Sequence, residues 1–481
     1  MLPLSVSVWE RVRGMFCLPD LLVLCCLWEC GLSFGYYLKY AFAYDNLWQH
    51  WYSLLGGIMA FALALIWTFR KHRKQRYSFD HYYIIFYGLL CQLLSSCFML
   101  SKQLAVSYYF SFIGLGILYI ACFSFISLRS SATGVRPARI AFGNAAHACG
   151  LCAGFIIFNE FEPQHCGLIG LSVALLLVVG VCLNELLQHL GWHNYKQSPD
   201  LVFQLLNEER LVFLPRRAIL AQFVDRNDHQ LLPSRQWRVL LLGGIVMLLQ
   251  RCCCIYSPVY LHLMWSATTA YLERAQLYAP FAIYAAGCLL GTLLLLRYTP
   301  KLVYMLFGLI FLTLVVALLC IYDDQQSEHC FLFLCFIYTT LGVLSSHALQ
   351  LLLECTPFLY TELALATSLA LQLAVLEGYK YETRVDNQWR ALLASSVTAL
   401  LLTLLAVPLV QWLLPQSASL VDIRNRLLGV RRLPQPDAQS QFWRSNQFLA
   451  HDKRSNEFQA IHVAKSRVFQ QYPAVSDNEK F

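Results

Sequence analysis

Charge is scarce in this chain: Asp, Glu, Lys and Arg make up 13% of its 481 residues, while 58% are hydrophobic. So little charge excludes a water-soluble globular protein, which could not cover that much apolar surface. Strict alternation of apolar and polar residues is also missing, which excludes a membrane β-barrel. There is no His-Glu-x-x-His, no Gly-x-Ser-x-Gly and no Gly-x-x-x-x-Gly-Lys-Ser/Thr, so neither zinc or serine hydrolysis nor an ATP-driven pump is expected, and the chain is read as a non-enzyme without cofactor or metal. No Asn-x-Ser/Thr sequon marks an outward loop. The first apolar run, near Asp20 to Tyr44, is too long for a signal peptide and lacks a small-residue cleavage site, so it is expected to stay as a span.

What the sequence has instead is apolar runs of about 18 to 25 residues, the length an α-helix needs to cross roughly 30 Å of hydrocarbon. They fall at 20–44, 51–69, 81–100, 106–128, 139–159, 166–189, 238–262, 275–297, 301–322, 330–353, 356–377 and 390–414. The expected fold is therefore an all-α membrane protein of twelve transmembrane helices in two pseudo-symmetric six-helix bundles. Its parts are a cytoplasmic N-terminus (1–19), a first half (20–189), a polar middle loop (190–237) carrying Pro199, Pro215 and Pro233, a second half (238–414) and a polar tail (415–481) expected to be largely disordered. The middle loop holds Asp200 to Leu214, whose mixed three and four spacing of apolar residues suits a short helix on the inner leaflet.

Lys and Arg set orientation, because cytoplasmic loops retain them. One side collects Arg11, Arg13, Arg70, Lys71, Arg73, Lys74, Arg76, Arg129, Arg136, Arg139, Arg297, Lys301, the middle loop and the tail; the other has Lys102, Arg274, Lys380, Arg384 and Arg390. Both termini and the middle loop are thus expected in the cytoplasm, and an even span count follows from charge independently of length. The net charge of +8 lies between and after the apolar runs rather than along a stripe, so it reads as topology and not as a nucleic-acid surface. The 19 cysteines mostly sit within apolar runs, where Cys acts as a small hydrophobe; Cys166 and Cys330, at outer loop ends, are the pair to test for a disulfide.

Six helices, a long cytoplasmic loop, six helices and cytoplasmic termini resemble the major facilitator superfamily of secondary transporters. That family carries, between spans 2 and 3, a Gly, then Asp-Arg, then Gly-Arg-Lys. Here the stretch from Thr68 to Arg76 reads Thr-Phe-Arg-Lys-His-Arg-Lys-Gln-Arg, keeping the basic cluster without the Gly and Asp. The matching loop of the second half, Gly291 to Lys301, keeps a Gly and two cations. The resemblance implies a gating charge network at the cytoplasmic helix ends, formed by Arg70, Arg73, Arg76 and Arg297 with Glu354 and Glu362 as acid partners, and Glu185 in a similar place. Small residues in span 5, Gly150 and Gly154 above all, match the family's packing pattern there and allow close helix approach. The equilibrative nucleoside carriers also have a long loop after span 6, but with eleven spans and an outward C-terminus.

An ionisable side chain in hydrocarbon costs roughly 2.5 to 3.5 kcal/mol on insertion scales, so each one deep in a span is a candidate for function. Glu29 is midway along span 1, His147 along span 5 and Arg251 along span 7; Lys39 is nearer the outer end of span 1 and His347 in the inner half of span 10. In the resembled architecture spans 1 and 7 are equivalent, so Glu29 and Arg251, at matching depth and of opposite charge, are the sharpest pair. Arg251 would attract an anionic group, Glu29 a proton or cation; the bland reading is a structural ion pair. His147 could couple transport to protons or serve as interhelical glue, and Lys39 could snorkel outward. Pro258 and Pro280 are candidate kink sites.

The function expected is secondary active transport, as symport or uniport, of a small organic solute of anionic or zwitterionic character; the competing reading is a non-transporting receptor or scaffold on the same fold. Partners are the solute, the bilayer, protons and, through Tyr472-Pro-Ala-Val475, a coat adaptor that would sort the chain to the plasma membrane or endolysosomal membranes. The charge pattern makes a direct prediction: protease sites placed in 190–237 and after Phe481 should both be cut only from the cytosolic side. Cleavage of the tail from outside would refute the even count.

Overall fold

The computed structural model describes residues 18–43, 52–72, 81–129, 136–191, 274–321, 327–355 and 361–382, with scattered helical positions between 397 and 408. All regular structure among the described residues is helical. The ten helices are α1 (Leu18–Ala43), α2 (Tyr52–His72), α3 (His81–Leu100), α4 (Leu104–Arg129), α5 (Arg136–Glu160), α6 (Pro163–Gly191), α7 (Arg274–Arg297), α8 (Pro300–Ile321), α9 (Ser327–Cys355) and α10 (Thr361–Glu382). α1 to α6 are the expected spans 1 to 6, and α7 to α10 are spans 8 to 11. Span 7, with Arg251 and Pro258, the middle loop and the tail with Tyr472 lie outside the described residues.

Seven of these helices are long and apolar enough by themselves to cross a membrane, with mean hydropathy of 1.6 to 2.7. Their outer faces stay apolar: Ile58, Phe61, Leu65 and Phe69 form a stripe on α2, and Leu168, Leu175, Leu176 and Leu183 another on α6. Exposed side chains of that kind, repeated at helical spacing, need lipid as their solvent. The chain is a multi-pass integral membrane protein.

The helix starts follow local chemistry. Proline opens α6 and α8 and is the second residue of α5, where its missing N–H costs nothing. Pro280, a candidate kink site, lies inside α7, which continues from Arg274 to Arg297. α3 and α4 are joined by three residues. Lys102 takes a left-handed conformation (φ 60°), Gln103 N–H donates to Phe98 C=O (2.9 Å) and Lys102 N–H to Met99 C=O (3.1 Å), a Schellman cap with Lys in the place usually held by Gly.

Within the first half the closest packing is α1 against α5. Lipid tails are as apolar as leucine, so helices in a membrane are held by backbone approach and polar contacts rather than by the hydrophobic effect. Four glycines provide that approach. A Cβ at Gly31 would overlap the His147 carbonyl oxygen and one at Gly35 the Leu151 carbonyl oxygen; a Cβ at Gly150 would overlap the Trp28 carbonyl oxygen and one at Gly154 that of Leu32. Gly-xxx-Gly on α1 thus interlocks with Gly-xxx-Gly on α5.

The second half repeats the first. α2 packs on α4 through Gly56 and Gly116, and α7 packs on α9 through Gly287 and Gly342, all at backbone level. In span numbers these pairs are 2 with 4 and 8 with 10. The contacts between halves obey the same rule: α2 meets α10 and α4 meets α10, while α7 meets α5 and α9 meets α5. Adding six to each span number, modulo twelve, converts one set into the other. That is the relation expected for two bundles about an axis along the membrane normal.

Filling the glycine seam should be costly. Gly154→Val is expected to lower stability by about 3 kcal/mol, the upper end for an overpacked core, seen as a fall in the thermal midpoint and in monodisperse yield. Leu176→Ala, at a position 72% exposed, is expected to change neither. Equal behaviour of the two would contradict the packing described.

Candidate functional site between the two halves

The seam between the halves is polar where the apolar composition would lead one to expect only Leu and Phe. Asn144 on α5 is 3% exposed, and its Nδ2 donates to Ser345 Oγ on α9 at 3.1 Å and lies 3.7 Å from Cys288 Sγ on α7. Tyr284 on α7 donates its phenol to the same Ser345 Oγ at 2.9 Å. From the next residue of α9, Ser346 Oγ donates to Cys288 C=O at 3.2 Å. An amide from one half therefore enters a hydroxyl cluster of the other. All of these are neutral groups that both give and take hydrogen bonds, the chemistry that holds a polar organic solute as well as it holds another helix.

Toward the Glu160 end of α5 the seam turns aromatic. Phe155 stacks on Phe281 with ring centroids 4.1 Å apart and meets Tyr278 edge-on at 6.4 Å. Tyr278 donates its phenol to Glu160 Oε1 at 2.6 Å. At the opposite end, Ser124 on α4 donates to Glu362 Oε1 on α10 at 2.7 Å, with both side chains buried. Glu362 lies in the first turn of α10, where the helix dipole favours a carboxylate. Each end of the seam thus has its own carboxylate–hydroxyl bond between halves.

Glu29 is 1% exposed, and its Oε2 has no hydrogen-bond partner. It shares one stripe of α1 with Leu22 and Tyr36, at seven-residue spacing, and those two lie against Gly180 and Gly170 of α6. His147 is buried too, but its ring is 6.5 Å from Phe34 and 6.0 Å from Tyr119, on another face of α1. The structure therefore does not bring Glu29 and His147 together: the carboxyl belongs to the α1–α6 side of the first half, the imidazole to the α1–α4–α5 side. A second polar cluster lies inside that half, where Ser33 Oγ donates to Gln92 Oε1 (2.8 Å) and Gln92 Nε2 to Ser111 C=O (3.1 Å).

Of the expected charge network, Glu362 is buried at the seam, and Arg297 is exposed in the last turn of α7 with its guanidinium 5.9 Å from the Tyr298 ring centroid. Arg70 and Glu354 are helical in α2 and α9 with side chains outside the described residues, as are those of Lys39 in α1 and Glu185 in α6; Arg73 and Arg76 lie wholly outside. Arg139, grouped with the loop cations, is a residue of α5 and 6% exposed. Cys166 carries a thiol near the carbonyls of Ile157 and Phe161, both at 3.7 Å, rather than half of a bridge to Cys330. Among the described residues no His, Cys, Asp or Glu cluster could hold a metal ion. Tyr278 and Tyr284 stand among the aromatics of their span that could stack on a substrate, whereas Asn144 and Ser345 have no such mark in the sequence; the signal present is an amide one turn before His147 in an apolar run.

The seam makes a prediction of its own. Asn144→Ala and Ser345→Ala should each lower the thermal midpoint. The double variant should lose less than their sum, with a coupling of about 0.6 kcal/mol, typical of such bonds in membranes. Strictly additive losses would remove this bond from the account.

No protein-family model matches the sequence, and no curated protein matches it. Solved structures do. The E. coli proton:xylose symporter XylE aligns at TM-score 0.59 with 13% identity, over 82% of this chain and 96% of that one. The E. coli fucose:proton symporter FucP aligns at 0.52 with 13% identity, over 83% and 99%. The human organic anion transporter MFSD10 aligns at 0.55 with 14% identity, over 82% and 98%. At such identities the likeness speaks for the fold and not for the cargo, and it spans more than four fifths of the chain. The chain has the twelve-helix fold of the major facilitator superfamily, in a divergent sequence.

Proposed function

We propose that this protein is a secondary carrier that moves a small organic anion or zwitterion across its membrane by alternating access, with protons as the coupling ion. The observation that carries the reading is the polar seam: hydrogen bonds from Asn144 to Ser345, from Tyr278 to Glu160 and from Ser124 to Glu362 join two symmetric bundles at the middle and at both ends. Bonds of this strength can be exchanged for bonds to a solute or to water as one end opens and the other closes. That the structural neighbours carry xylose, fucose and organic anions supports the transport class without selecting among cargoes.

In this reading the solute sits at the level of Asn144, Tyr284 and Ser345, and Arg251 supplies the charge that favours an anion. Glu29 takes up and releases the coupling proton, and Glu362 belongs to the cytoplasmic gate with the basic cluster of Arg70, Arg73 and Arg76. The Arg139 end of α5 faces the cytoplasm, and Tyr472 to Val475 directs the protein to the plasma membrane or an endolysosomal membrane.

Reconstitution into liposomes with a panel of labelled organic acids, amino acids and sugars tests the proposal. Uptake of an acid or zwitterion, driven by an imposed pH gradient, is expected. Glu29→Gln should remove the gradient's effect while leaving exchange, and Arg251→Ala should raise KM at least tenfold. Solute binding without flux in the wild type would replace the carrier by the receptor reading. Normal gradient-driven uptake by Glu29→Gln would take the proton away from that residue.

A further inference from the structure

Inside the second half, away from the Asn144 bond, α9 carries two fully buried polar side chains one turn apart. His347 and Gln350 are both 0% exposed. His347 Nδ1 lies 2.8 Å from the Val343 carbonyl oxygen. A carbonyl only accepts, so Nδ1 carries the hydrogen, and the neutral ring presents the Nε2 lone pair on its other side. That Nε2 has no partner, and neither does either amide atom of Gln350. Gln350 continues the stripe of Thr339, Val343 and Ser346, whose members lie against Gly287, Gly291 and Cys288 of α7, and His347 stands one position round from it.

Three unmet buried polar atoms on two residues one turn apart on one helix call for an occupant, and the usual occupant of such a place is water. The complement is specific. A water molecule that donates one O–H to His347 Nε2 and accepts from Gln350 Nε2 satisfies both, and its second hydrogen suits Gln350 Oε1. We infer that His347 and Gln350 form a site occupied by a buried water molecule, which gives the second half a hydrated polar site separate from Glu29. Its chemistry is that of the site alone and does not depend on transport.

X-ray hydroxyl-radical footprinting of the full chain in nanodiscs tests the inference, because radiolysis of a bound water labels the side chain that holds it even when bulk solvent cannot reach it. The expected result is labelling of His347 at a rate comparable with exposed side chains, falling at least fivefold in Gln350→Leu. Labelling carried out in 18O-water should mark His347 with the heavy isotope after brief mixing, showing that the molecule exchanges with solvent. An unlabelled His347 in the wild type would overturn the site, and labelling unchanged in Gln350→Leu would overturn Gln350's part in it. Leu353, 1% exposed on the same helix, serves as the dry control and should stay unlabelled in both proteins.

Discussion

Backbone-to-backbone approach of helices is the constraint on which this structure depends. In lipid, one apolar side chain gains little by leaving the solvent for another, so cohesion has to come from surfaces that fit at van der Waals distance and from the few hydrogen bonds available. The α1–α5 seam shows the first means at its limit, with Gly31 and Gly35 on one helix and Gly150 and Gly154 on the other leaving no room for a methyl group. Gly56 with Gly116 and Gly287 with Gly342 do the same for matching helices of the two halves. Close approach of this kind stiffens the helix pairs within each half, which is what a moving-bundle mechanism needs.

The seam between the halves is built differently. Among the described residues one close glycine approach crosses it at backbone level, Gly57 against Ala370, while most of its specificity comes from Asn144, Tyr278, Ser124 and Glu362. A membrane hydrogen bond contributes on the order of 0.6 kcal/mol, so such a seam can be opened at one end when solute or water replaces the lost partner. Stiffness within halves and exchangeable bonds between them follow from which residues occupy which interface.

The membrane helices were legible in the sequence because hydrocarbon thickness dictates run length. Helix ends were less legible: α10 continues to Glu382, past the expected 377, because backbone hydrogen bonding does not stop where apolar residues do. Gly150 and Gly154 could be picked out by spacing, but Gly31 and Gly35 could not be matched to them without knowing that α1 and α5 are neighbours. The burial of Glu29 was readable from its apolar surroundings; the face it occupies was not, since that depends on α6 meeting the stripe of Leu22 and Tyr36. The Asn144 contact joins residues 201 positions apart, a distance over which sequence pattern carries no information about pairing.

Reciprocal motion of the two ends is the central claim, and spin-label distances measure it most directly. Labels at Leu168 and Leu332 report the Glu160 end, and labels at Leu183 and Leu302 the opposite end; all four positions are more than half exposed. With Tyr278→Phe and Phe281→Ala introduced together to loosen the Glu160 end, the first distance should lengthen while the second shortens in the full chain in nanodiscs. If both distances stay fixed, or lengthen together, the two bundles do not rock about the seam and the alternating-access account is wrong.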